Sequence, residues 1–522
     1  MKKNLFTLLL ITFCLSVVAV AQTPVNWKKA GTEKSDYVTF GVYQDNTGGM
    51  HVGFYEMGAM FKINGAYINN FSPEGEFLSK TTLEGNLPEH FEAKIMLDQI
   101  CIIPAGNMPN SNAHYILFYD FSGKLIKQVD LDAGYKFDII EGNWASAIIN
   151  NNYSGIKNYS NLSQTKDGKY YTIWGYKKAD NSKNKMDKNN DIKMYAFDKN
   201  LEKVAEESFE FEDVFSNSGE INSLSFDISP KNKVVAICSN VSKPDRAQIN
   251  LAIFNEKGSK PTVHKYTFKY DEASYAYDFG KFDEIYISGI ISVGGFRPTL
   301  KRTADKTLFF INQTLTGTKT ANASTYDMED KIYNAYTEYN SDLRSNSINP
   351  FDIFVTSDGI MYGSMFTYKT TTTTTTSYSS SKSSYWYSKC FTFIKFSFTG
   401  KIQWLKMIRK EIKFPETGQK MAGFSYAMDG DKLSVVYADN PANILNKSTK
   451  MVRGAYGKLV PALAEISSGG DITFVPLDKL GKVRYFNDPT ETYFNGKEIM
   501  LLGFTQKMLS RPEYYIGKVT LP

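Results

Sequence analysis

A turn-and-strand unit that recurs along the whole chain constrains the fold more than any other feature. Asp167-Gly168-Lys169 precedes YYTIWGY, Pro230-Lys231-Asn232 precedes KVVAICSN, and Asp429-Gly430-Asp431 precedes KLSVVYAD. Related units begin near Thr47, Asp98, Phe282, Asp358 and Asn495, which makes eight, roughly 50 to 75 residues apart. Most are followed by a second, different unit in which an aromatic strand, a polar turn and another strand succeed one another. Its copies are FSPEGEFL from Phe71, FYDFSGKLIKQVDL from Phe118, AFDKNLEKV from Ala196, IFNEKGSKP from Ile253, KFSFTGKIQW from Lys395 and FVPLDKLGKV from Phe474. A looser copy, FINQTLTGTK, starts at Phe310. Two hairpins per period, each with Gly, Asn or Asp where the turn needs positive φ, give four antiparallel strands per unit.

A four-stranded sheet buries its two faces only against other layers, and such sheets repeated in series bury them against neighbours set around an axis. The expected fold is therefore all-β, a β-propeller of about eight blades. Seven is the alternative, because the first unit, from Tyr37 to Leu83, is irregular; two β-sandwich domains also fit alternation and turns. The last unit offers KEIMLLGFTQ and EYYIGKVTLP and stops one strand short. VNWKKAG, Val25 to Gly31, is expected to supply the missing strand, closing the ring and removing an exposed sheet edge. About 500 residues after the leader described below exceed what one compact core holds, which suits a closed repeat.

SPKNKVVAICSN and KDGKYYTIWGY resemble the turn-strand units of TolB-like and WD40-like propellers, and KFSFTGKIQW resembles one repeat of the quinoprotein-type propeller. The resemblance implies the fold. It implies no cofactor, because the quinoprotein pattern has Asp where this chain has Ser397, recurs well in one copy only, and lacks the adjacent cysteine pair.

Lys2 and Lys3, an apolar run from Leu5 to Val20 and Ala19-Val20-Ala21 have the form of a secretory signal. The expected organisation is a signal peptide over 1–21 and a single propeller domain over 22–522. An exported chain then lies in the periplasm, at the outer surface or outside the cell, with no membrane span after signal removal. Phe13 is too bulky for lipid attachment at Cys14. Cys101, Cys238 and Cys390 remain, an odd number, each within an apolar strand-like run, which reads as buried unpaired thiols. The net charge of +5 includes the two signal lysines, leaving about +3 with no basic stripe, so a nucleic-acid partner is not expected.

Reactive motifs are missing from the sequence: there is no GxSxG elbow, no GxxxxGK[ST] and no CxxC. His51, His90, His114 and His264 are scattered in no metal-ligand spacing. A calcium loop at Asp187, Asn189 and Asp191 fails because Ile192 stands where the sharp bend requires Gly. Neither a metal nor a cofactor is expected. Asp278, Asp283, Glu284, Asp352 and Asp358 lie near strand ends, where turn acids commonly serve local hydrogen bonds, and none is assigned a catalytic role.

Lys369 to Lys389 is the most unusual stretch, with seven threonines from Thr370 to Thr376, then serines, then Tyr385-Trp386-Tyr387. It is expected as a long polar loop between the second and third strands of a blade, with Tyr378, Tyr385, Trp386 and Tyr387 as ligand-binding aromatics. The competing reading makes YWYSKCFTFIKF an aromatic strand that begins early. Together these features suggest a non-enzymatic binding or scaffolding propeller of the bacterial envelope with a protein or glycan partner; a glycosidase-like enzyme acting on carbohydrate is the alternative.

Overall fold

Thirty-two strands and two one-turn helices, α1 (Phe211–Phe215) and α2 (Pro441–Leu445), account for the regular structure among the described residues. The structure is a computed structural model that describes residues 25–30, 36–57, 63–88, 91–104, 114–137, 161–177, 191–215, 221–243, 246–255, 260–269, 272–292, 306–316, 323–327, 346–375, 380–415, 424–445, 459–477, 486–505 and 513–520. The strands form eight four-stranded antiparallel sheets. Blade one runs from β2 (Asp36–Gln44) to β5 (Phe77–Thr82), blade two from β6 (Phe91–Met96) to β9 (Leu125–Asp130), and blade three from β10 (Ser163–Gln164) to β13 (Lys203–Glu210). Blade four runs from β14 (Ile221–Ile228) to β17 (Thr262–Thr267) and blade five from β18 (Glu272–Phe279) to β21 (Ala323–Asp327). Blade six runs from β22 (Asn346–Val355) to β25 (Ile402–Pro415) and blade seven from β26 (Phe424–Asp429) to β29 (Ile472–Pro476). Blade eight comprises β30 (Phe486–Asn495), β31 (Glu498–Thr505), β32 (Glu513–Thr520) and, from the other end of the chain, β1 (Asn26–Lys29).

First strands of neighbouring blades touch one another, β2 with β6, β14 with β18, β18 with β22 and β26 with β30, so the first strands converge on the axis. The protein is an eight-bladed β-propeller; the seven-blade and two-sandwich alternatives do not describe it. Each of the eight turn-strand units expected from the sequence is the hairpin between the first and second strands of one blade. The second set of units is the hairpin between third and fourth strands, with one correction. In blade seven that hairpin turns at Ser467–Asp471, between β28 (Val460–Ile466) and β29, and Phe474 lies inside β29 rather than opening a new hairpin. FVPLDKLGKV misled because Asp478, Lys479 and Gly481 together have the composition of a hairpin turn. The turns themselves are pinned by short side chains: Asp45, Asp120 and Asp198 each accept from the backbone N–H two and four residues on, at 2.8 to 3.1 Å.

Packing follows from strands whose two faces are both apolar. Eight hydrophobic clusters fill the molecule, each centred between two adjacent blades. In β7 (Gln99–Pro104), Ile100 and Ile102 face blade one while Cys101 and Ile103 face blade three. In β15 (Val234–Lys243), Ala236 and Cys238 face blade three while Val235 and Ile237 face blade five. Cys101, Cys238 and Cys390 are buried in three different blades and joined by no disulfide, and burial raises the thiol pKa of Cys101 and Cys238.

Residues 369–375 and 380–389, expected as loop, are strand. β23 (Ile360–Thr375) runs through the threonines, and β24 (Ser380–Phe396) returns from Ser380, pairing Thr375 with Ser380 and Thr370 with Tyr385. Threonine is β-branched and suits an extended backbone, so a run that lacks core residues still forms a ladder. The early aromatic strand is the reading that holds.

The ring closes where β1 pairs antiparallel with β32, Trp27 opposite Gly517. A Cβ at Gly517 would lie 2.4 Å from Val25 Cγ1 and 2.8 Å from Trp27 Cε3, so glycine makes room for the closing strand. Gly517→Val is therefore expected to lower stability by about 1–3 kcal/mol, the usual cost of overpacking, and to expose residues 25–30 to protease. Thermal melting with limited proteolysis checks this; unchanged cleavage would show that β1 does not depend on that fit.

Candidate functional site

Three inner strands carry the same triplet near their turn ends, an aromatic residue, an aspartate and a second apolar residue: Phe226-Asp227-Ile228, Tyr277-Asp278-Phe279 and Phe351-Asp352-Ile353. Each aspartate first accepts from the backbone N–H that follows it, at 2.7, 2.8 and 2.8 Å. Its other oxygen reaches the next blade. Tyr277 donates to Asp227 Oδ2 at 2.9 Å, the Val355 N–H to Asp278 Oδ2 at 3.4 Å, and Tyr426 to Asp352 Oδ2 at 2.7 Å. The acids thus tie blades four to seven together at one end of the axis.

Lys166 completes the cluster from the turn between β10 and β11 (Tyr170–Lys177) of blade three. Its backbone N–H donates to Asp227 Oδ2 at 3.3 Å, and its ammonium donates to Asp352 Oδ1. Blades three and six are three apart in an eight-membered ring, so this bond crosses the axial channel. The ammonium also lies 5.3 Å from the Tyr277 ring centroid. The Lys166 side chain is 28% exposed and Asp352's 12%, which places the bridge in a recess that water still enters.

Electrostatics follow burial and charge. Burial pushes Asp227 up to about 7 against the opposing pull of the Ile228 N–H, Tyr277 and Lys166. Burial likewise pushes Asp278 up to about 6, with Lys166 opposing it. Burial alone would lower the Lys166 ammonium, but the charge and hydrogen bond of Asp352, with Asp278 and Asp227 behind them, leave it above the ordinary lysine value. Tyr277 and Tyr426 are raised by burial and then by Asp227 and Asp352 respectively, and stay protonated. Asp227 and Asp278 thus hold protons more tightly than ordinary carboxyls while they tie the blades together.

Of the five strand-end acids singled out from the sequence, Asp278 and Asp352 meet at the axis. Asp283 sits in the β18–β19 turn, 3.5 Å from Lys233, and Glu284, first residue of β19 (Glu284–Ser292), accepts the Phe282 N–H at 3.0 Å. Asp358 accepts from Lys395 at 2.6 Å. Asp227 and Lys166 were not foreseen; the recurring aromatic-Asp-apolar triplet signals Asp227, whereas nothing local to Lys166 foretells a partner 186 residues away. The aromatics proposed as ligand contacts do not all come together. Tyr378 lies outside the described residues, and Trp386 takes its place in β24 opposite Lys369 and Phe414. Tyr385 and Tyr387 share one face beneath Lys413, whose ammonium is 4.0 Å and 5.8 Å from their ring centroids, and Tyr387 is buried. Asp187 and Asn189 of the rejected calcium loop also lie outside the described residues. Among the described residues no group of three His, Cys, Asp or Glu side chains is placed to hold a metal ion, and no helix is long and apolar enough to cross a membrane.

No family model matches the chain, and no curated protein matches it in sequence. Solved structures similar to it include the polysaccharide lyase Uly1, at 9% identity and a TM-score of 0.41 over 96% of this chain and 98% of that one. Another is the β-propeller domain of the Trilobed protease from Pyrococcus furiosus, at 10% identity and a TM-score of 0.36 over 88% and 98%. A third is a member of the duf4221 family from Bacteroides vulgatus, at 12% identity and a TM-score of 0.24 over 66% and 93%. These likenesses are too distant to carry a conclusion about this chain, whose architecture is read from its own strand pairing.

A carboxyl pKa raised by folding costs stability above that pKa, and the cost is relieved as pH falls through it. Asp227 and Asp278 therefore contribute a gain in stability from about pH 8 down to about pH 5. In Asp227→Asn the difference in melting temperature between pH 8 and pH 5.5 is expected to shift against the acidic sample relative to wild type. An unaltered pH difference in Asp227→Asn would show that Asp227 is ionised throughout this range.

Proposed function

We propose that this chain is an exported, non-enzymatic binding propeller of the cell envelope. The observation that carries the reading is the engagement of the axial acids. Asp227, Asp278 and Asp352 spend their oxygens on backbone N–H groups, tyrosine hydroxyls and the Lys166 ammonium, so the cluster works as a tie between blades rather than as an acid-base pair facing a substrate. The Lys2-Lys3 leader and Ala19-Val20-Ala21 support export, and the resemblance of the turn-strand units to TolB-like and WD40-like repeats belongs to the same reading.

The contact surface we assign is the blade-six hairpin. β23 and β24, at 16 and 17 residues, are the longest strands among those described, and their far ends pair with each other beyond the last β22 partner at Tyr368. The hairpin's sequence is rich in threonine, serine and tyrosine, residue types that hydrogen-bond to and stack on a glycan or a protein at low entropic cost. A carbohydrate enzyme is the second reading, favoured by two axial carboxyls whose proton affinities lie near neutral pH.

Deleting Thr370 to Ser384 separates these readings. The shortened protein is expected to melt within about 2 °C of wild type, since the segment is almost wholly threonine and serine in sequence, while co-sedimentation with purified envelope fragments is lost. Retained co-sedimentation would retire the hairpin as the contact surface. Turnover of a polysaccharide by the wild type that vanishes in Asp278→Asn would replace the binding reading with the enzymatic one.

A further inference from the structure

We propose that Lys166 is a removable bolt across the axial channel, closing that end of the ring while Asp227 and Asp278 are ionised and withdrawing when they take up protons.

The segment that carries the bolt has little strand pairing of its own. Inner strand β10 is two residues long and pairs with β11 only through Ser163 to Thr172 and Gln164 to Tyr171, whereas β14, β18 and β22 have eight, eight and ten residues. The turn itself is closed by Thr165, which bonds the Tyr170 carbonyl through its N–H and accepts from the Lys169 and Tyr170 N–H groups through Oγ1, but few ladder bonds tie the strand before it, so the contacts of Lys166 bear on how the segment seats against the axis. Those contacts are its N–H on Asp227 and its ammonium on Asp352, the latter reaching across the channel to a blade that does not adjoin its own.

The strength of the bolt depends on charges that its ammonium does not touch by hydrogen bond. When all three acids are ionised, Asp227, Asp278 and Asp352 act together on one ammonium. When Asp227 and Asp278 are protonated, Asp352 alone remains, in a recess where water competes for both partners. The surrounding groups do not take over the role. Tyr277 and Tyr426 stay neutral donors, and Tyr275 is occupied by Ser225 Oγ at 3.0 Å and the Ile237 carbonyl at 2.7 Å. Linkage fixes the sign. The positive charge of Lys166 favours the ionised forms of Asp227 and Asp278, so withdrawing it strengthens their hold on protons. By reciprocity, protons favour the withdrawn state. Acid therefore loosens the bolt even as it relieves the cost of buried charge elsewhere in the cluster.

Hydrogen exchange of residues 161–172, corrected for the intrinsic pH dependence of exchange, tests the bolt in the full exported chain at pH 8 and pH 5.5. In wild type the opening equilibrium of this segment is expected to rise at least about 10-fold on acidification, the scale of an ordinary coupling between sites. Lys166→Met is expected to open equally at both pH values, and carboxyl NMR should show its Asp227 midpoint raised by about one pH unit or more. Lys166→Arg keeps the charge and should hold the midpoint near wild type, which separates charge from packing. Equal protection of the wild-type segment at both pH values, or an Asp227 midpoint unmoved in Lys166→Met, overturns the proposal. Neither readout depends on what the blade-six hairpin binds, so the bolt and the binding reading fail separately.

Discussion

A four-stranded sheet with apolar side chains on both faces has no stable existence in water until each face meets another sheet. Every blade here has that problem. Ile100 and Ile102 point one way and Cys101 and Ile103 the other, and the same division separates Ala236 and Cys238 from Val235 and Ile237. Burial of this kind contributes roughly 25 cal/mol per Å² of apolar surface, and a row of such sheets completes it for the end blades only by curling until they meet. The closing strand β1 follows from this requirement, since blade eight has three strands from its own end of the chain and takes its fourth, Asn26–Lys29, from the beginning.

The chain itself sets the order of the blades, and how each seats against the next is set where the inner strands meet. Apolar contacts alone specify that seating loosely. Hydrogen bonds from Tyr277 to Asp227 and from Tyr426 to Asp352 fit one partner each, which is the attested use of buried polar groups, fixing register at some expense in stability. We regard the raised proton affinities of Asp227 and Asp278 as the visible part of that expense.

Local signals in the sequence sufficed for the blades and failed for the site. Turn glycines such as Gly168, at φ 69°, and the left-handed Asn232, at φ 62°, mark hairpins because few other residues take that conformation readily, so all eight first hairpins were legible. VNWKKAG was legible because the last unit lacked a strand. The threonine run was misread because composition was taken to mean loop, where the β-branched backbone preference and a paired serine strand decided otherwise. The end of blade seven was misplaced because polar residues close to a glycine, here Asp478, Lys479 and Gly481, are a degenerate turn signal. Lys166 was not legible at all: its partner Asp352 lies three blades on, and only closure of the ring brings them together.

The three axial aspartates also differ in a way that ring geometry explains. Tyr277 of blade five stands just before Asp278 and reaches back to Asp227, but its counterpart in blade six is Phe351, which has no hydroxyl to offer Asp278. Phe351 instead packs with Phe354, Phe391, Phe393, Phe424 and Tyr426, with ring centroids 4.5 to 6.4 Å away. Asp278 is left with the distant Val355 N–H and the charge of Lys166 as its interblade partners, and it is the half-buried member of the set. One missing hydroxyl therefore leaves the middle acid of the cluster the least firmly held, and the ammonium that crosses the channel from blade three acts on it through space where a tyrosine acts by contact on its neighbours.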